Sequence, residues 1–145
     1  MAVVASQLIL FPSILNSITT LSSNIFNILS SFRIAKDPHT VELQTLLEKS
    51  DIVCTIGLVK HILTDLEEDQ TFKLKSTVLF AVEKIQTIIG IIDTELKDIQ
   101  AKIDYNFSLY VLQNMRSMDC TINLTKMETN ITILEKRVNH LFQVI

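Results

Sequence analysis

The stretch that decides the fold is residues 78–103, VLFAVEKIQTIIGIIDTELKDIQAKI. Val78, Val82, Ile85, Ile89, Ile92, Leu96, Ile99 and Ile103 recur at steps of 4, 3, 4, 3, 4, 3, 4. That is the a/d spacing of a helix with one apolar seam. Asp93/Lys97 and Asp98/Lys102 place an acid one turn before a base. Such pairs support an exposed helical face. The pattern predicts a helix reaching toward Leu112, with Asn106 and Asn114 as stopping points.

The same spacing recurs on both sides. Downstream, Leu124, Met127, Ile131, Leu134, Val138, Leu141 and Ile145 form a seam to the last residue. Ser117 or Asp119 is placed to cap that helix. Upstream, Ile52, Ile56, Val59, Leu63 and Leu66 form a third seam, with Gly57 inside it. A mid-helix glycine costs about 1 kcal/mol against alanine, so close approach of a neighbouring helix is the expected reason for it. Asp37-Pro38 reads as an N-cap followed by proline in the first turn. Ser50-Asp51 interrupts this helix or starts a new one. The acidic run Asp65, Glu67, Glu68, Asp69 lacks calcium-loop spacing and its central glycine, and reads as a solvated inter-helix turn.

The first 32 residues carry no charged side chain. Ile14, Ile18, Leu21, Ile25, Ile28 and Phe32 keep the heptad-type spacing, and Phe11 and Val4 extend it backward. Pro12 is expected to bend this helix or to begin a second piece of it. Frequent polar residues argue against a signal peptide and against a spanning helix.

The resulting expectation is all-α: one domain over 1–145, an antiparallel four-helix bundle with long helices, the second broken near Ser50. Two glycines and two prolines in 145 residues are too few for a turn-rich β fold.

Catalytic chemistry has little to build on. His39, His61 and His140 fall in no metal-binding spacing. Two glycines cannot make a phosphate-binding loop or a nucleophile elbow. No enzyme, cofactor, metal or small-molecule substrate is therefore expected. The net charge is −3, with 13 basic residues scattered along the chain, which argues against nucleic acid. Lys136-Arg137 reads as compensation of a helix dipole. Cys54 and Cys120 read as free, partly buried thiols of a reducing compartment, the cytoplasm. The sequons at Asn106, Asn123 and Asn130 would matter only in a secreted chain.

Two candidate surfaces remain. A surface helix in a bundle normally carries charge on its outer face. The first helix offers Ser17, Thr20, Ser23, Asn24, Asn27 and Ser31 instead. It is a central helix covered by others, or it packs on another subunit or partner, or it enters lipid at the membrane periphery. At the end of the long helix, Tyr105, Phe107, Tyr110 and Arg116 form an aromatic-basic patch. That patch is either a binding hot spot or a plug closing the bundle. The expected role is a non-enzymatic interaction module that self-associates or docks a protein partner's helices.

The layout resembles one known group. An apolar first helix precedes a bundle whose last helix carries Ile133-Leu134-Glu135-Lys136-Arg137-Val138-Asn139-His140-Leu141. It is similar in outline to HeLo-type four-helix domains and the N-terminal bundle of the necroptosis pseudokinase. The resemblance implies oligomerisation and membrane permeabilisation led by the first helix. The first helix here has neither the glycines of HeLo-type domains nor the basic residues of the necroptosis bundle.

Overall fold

The computed structural model describes residues 2–32, 38–69, 75–110 and 121–145. Within them lie five α-helices and no strand: α1 (Ala2–Phe32), α2 (Pro38–Ser50), α3 (Ile52–Glu68), α4 (Ser76–Tyr110) and α5 (Thr121–Val144). The protein is all-α, as the composition requires.

There are five helices where four main ones are expected, because α2 and α3 are parted at Asp51. That residue adopts a left-handed conformation, φ 52° and ψ 39°. Its N–H still donates to Glu48 O at 3.2 Å, and its carbonyl accepts from Thr55 N–H at 3.0 Å. One residue thus redirects the chain while the flanking backbone groups stay paired. Aspartate tolerates this region better than most residues but less well than glycine. Asp51→Gly is expected to stabilise the fold by about 0.5–1 kcal/mol, and Asp51→Val to destabilise it by about 1–2 kcal/mol. Urea titration of the two variants checks the opposite signs.

The core follows the seams. In α3, Ile52, Ile56, Val59 and Leu63 are buried. In α4, every described seam residue from Val78 to Ile99 is buried, but so are Leu79, Ala81 and Ile88 beside the seam. The extra width has a cause: α4 packs most closely on both α5 and α1, so it needs two apolar stripes. In α5 the seam is buried from Met127 to Leu141. It stops short of the expected end, since Ile145 is 47% exposed. Side chains from all five helices join one apolar cluster.

α1 runs unbroken through Pro12. Phe11, Ile14, Leu15, Ile18 and Ile25 are buried, while Asn16, Thr20, Ser23, Phe26 and Asn27 face outward. It touches α2, α3 and α4, and its buried residues are apolar. The central-helix reading of its polar face is therefore overturned; α4 has the widest buried surface.

Two polar residues shape the α4–α5 pairing. Asn123 is 2% exposed. Its amide donates to Glu95 Oε1 at 2.7 Å and to Asp98 Oδ2 at 3.0 Å, and accepts from Lys102 Nζ at 2.7 Å. Four turns further on, Arg137 Nη1 donates to the carbonyl of Lys84 at 2.8 Å. Asn123 beside residues 95–102 and Arg137 beside residue 84 make the two helices antiparallel. Arg137 thus bonds across helices instead of serving its own helix end.

Both expected acid–base pairs form, Asp93–Lys97 at 2.9 Å and Asp98–Lys102 at 3.6 Å. Asp93 departs from the expected exposed face, being only 4% exposed. Its Oδ1 has no hydrogen-bond partner among the described residues, and Oδ2 holds Lys97. The acidic run also departs from expectation. Asp65 to Glu68 form the last turn of α3, with Asp69 N–H closing on Asp65 O at 3.0 Å. Negative charge at a helix C-terminus opposes the macrodipole.

Candidate functional site: the outer face of α1 and its two grooves

The residues singled out on the first helix do not form one surface. Ser17 is half-buried and Thr20 exposed. Ser23 lines a groove between α1 and α3, and Asn24 lines another between α1 and α4. Asn27 borders both. Ser31 belongs to α1, but its side chain lies outside the described set. The division follows from the helical period: one turn separates Ser23 from Asn27, while Asn24 is rotated about 100° from Ser23 toward α4.

The outer face is uncharged and three of its hydroxyls serve their own helix. Thr19 donates to Leu15 O at 2.9 Å, Thr20 to Asn16 O at 3.0 Å, and Ser30 to Phe26 O at 2.9 Å. Donors bonded back to the preceding turn ask nothing of water. Such a face can be covered by another surface without stranding those donors. An apolar side chain stands among them: Phe26 is 55% exposed.

The α1–α3 groove has a volume of about 320 Å³. Its walls are Ile25 and Phe26 on one side and Val53 and Ile56 on the other. Gly57 lies at its base. A methyl group built on Gly57 would meet nothing within 4 Å, so the glycine accommodates no neighbouring helix and the expected close approach is absent. It leaves open space instead. Lys60 and His61 stand one turn beyond it on the same helix face. Ser22 contributes a buried hydroxyl with no hydrogen-bond partner among the described residues. An unsatisfied buried hydroxyl costs about 1–3 kcal/mol.

The second groove, about 380 Å³ and shallower, brings Asn24, Asn27 and Ile28 opposite Lys97, Gln100, Ala101 and Asp104. Gln100 and Asp104 are bonded to each other at 2.8 Å.

The other expected patch is only partly described. Tyr105 is 64% exposed on α4, so it does not plug the bundle. Phe107 and Tyr110 belong to the last turns of α4, with side chains outside the described set, and Arg116 lies outside the described residues. Cys54 is a free thiol, exposed where partial burial is expected; Cys120 lies outside the described residues. His61 and His140 are exposed. Among the described residues, no three His, Cys, Asp or Glu side chains converge on a point that could hold a metal ion. Nor is any described helix long and apolar enough to cross a membrane. Asn123 of the second sequon is locked into the α4–α5 pairing, which makes its role structural.

Composition and spacing reveal the polar face but not the groove. The groove exists because Gly57 of α3 falls opposite α1, and that depends on how the two helices pair. No protein-family model matches the chain, and no curated protein or solved structure shows significant similarity to it.

Proposed function

We propose that the chain is a non-enzymatic helical interaction module that self-associates, or docks a partner's helices, through the outer face of α1. In this reading the helices make a four-element antiparallel bundle, with α2 and α3 as one broken element. The observation that carries it is the combination on α1: an outward face without charge, with the Thr19, Thr20 and Ser30 hydroxyls already bonded and Phe26 exposed. A face meant only for water normally carries Lys, Glu, Asp or Arg. A face meant to be covered avoids them, because an unpaired buried charge is costly.

Thr20→Lys with Asn27→Glu places charge at two exposed positions and leaves the core alone. Sedimentation velocity over a wide concentration range is expected to show the parent chain associating and the double variant monomeric. The variant should lose less than about 0.5 kcal/mol of folding stability, as usual for surface changes. A parent chain that is monomeric throughout and binds no helical partner would sink the proposal.

The same dry face supports a second, HeLo-like reading, in which α1 contacts lipid. Liposome flotation with dye release tests it on the same pair of proteins. The parent should float and leak, and the double variant should do neither. Deleting α1 is a poorer test, since Ile18 and Ile25 belong to the core and their loss would unfold the remainder.

A further inference from the structure

We propose that the α1–α3 groove binds a single-chain anionic amphiphile, its acidic head at Lys60 and His61 and its hydrocarbon chain along Gly57 toward Val53. The inference goes beyond association through α1 and does not depend on it. It rests on a polarity gradient along one face of α3. Val53, Gly57 and Lys60/His61 follow at one-turn intervals, i, i+4 and i+7/i+8. They run from an apolar end, through an open stretch without side chain, to a cationic end. The span from Val53 to His61 is about 12 Å at 1.5 Å per residue. Medium-length acyl chains have this length and this gradient.

The facing wall agrees. Ile25 and Phe26 of α1 supply apolar surface, beside the uncharged polar side chains of Ser22, Ser23 and Asn27, and no carboxylate among the described residues lines the groove. Neither Lys60 Nζ nor the His61 ring has an acidic partner among the described residues. Lys60 is thus a charge without a counter-ion among the described residues, at the end of a trough whose lining surface is mostly apolar. A volume of about 320 Å³ suits a single chain and is too small for a partner's helix, which is about 10 Å across. An uncharged ligand would leave Lys60 unused, and a small inorganic anion would leave the apolar walls unused.

Isothermal titration calorimetry of the full chain with decanoate, and separately with decanol, tests the assignment. Decanoate should bind saturably at one site, at least about tenfold more tightly than decanol. Gly57→Leu fills the trough and should weaken decanoate by about tenfold or more with the helical circular dichroism retained. Lys60→Gln should weaken decanoate by about tenfold and leave decanol unchanged. Val53→Asp, at an exposed position, puts a carboxylate at the apolar end and should also abolish uptake; it serves if Gly57→Leu does not fold. Absence of saturable binding to the parent chain, equal affinity for decanol, or parent-like affinity in a folded Gly57→Leu or Val53→Asp variant would overturn the proposal.

Discussion

Ile89→Ala is expected to destabilise the protein by about 3–4 kcal/mol. Ile89 is fully buried in the middle of α4, the helix that meets both α1 and α5. Removing its outer carbons loses their transfer free energy and leaves a void between long, stiff elements. Long helices close such voids poorly, because a local shift must be carried along many turns. For a chain of this length the melting temperature should fall by roughly 10 °C. Ile91, two residues on, is exposed. Ile91→Ala should therefore change stability by less than about 0.5 kcal/mol. Urea unfolding of both variants measures the contrast. Similar losses at the two positions would mean that α4 is rotated from the arrangement described.

Asn123→Asp comes next, at about 2–3 kcal/mol near neutral pH. The amide of Asn123 donates two hydrogen bonds to carboxylates, Glu95 and Asp98. A carboxylate in its place donates none and sets a third negative charge against them. Lys102 keeps its contact and offsets only part of the repulsion. Because the introduced acid is buried among like charges, its proton affinity rises on folding. The folded state then binds more protons than the unfolded one above the ordinary aspartate range near 4, so stability falls as pH rises through that window. The deficit against the parent should shrink as pH drops from 7 toward 4. Thermal melts at several pH values read this directly. A deficit that does not change with pH would show that the loss is one of hydrogen-bond geometry alone.

The sequence made the seams legible because a/d spacing reports one buried stripe per helix. That is sufficient for α3 and for most of α5. It misses Ile88, Leu79 and Ala81, since a helix packed on two sides buries residues that a single seam leaves outside. It places Asp93 on an exposed face, because an i,i+4 acid–base pair says nothing about how deep the acid sits. Asp51 is legible as a break but not as a left-handed residue. Of the candidate site, the uncharged face of α1 can be read directly from 32 residues without charge. The groove cannot, for it needs Gly57 and Phe26 to be brought together from different helices. The Asn123 clamp is hidden for the same reason: its partners lie 21 to 28 residues away.

The reliance of α1 on α4 also sets an order of events during synthesis. α1 leaves the ribosome first, yet its closest partner ends at Tyr110. At roughly 5–20 residues per second, the interval between them is on the order of ten seconds. Through that time Phe11, Ile14, Ile18 and Ile25 have only α2 and α3 to cover them. The antiparallel α4–α5 pair is local in the chain and can close as soon as α5 emerges. The nascent chain therefore carries an apolar amphipathic helix, without charge to repel its copies on neighbouring ribosomes, until its docking surface has been made.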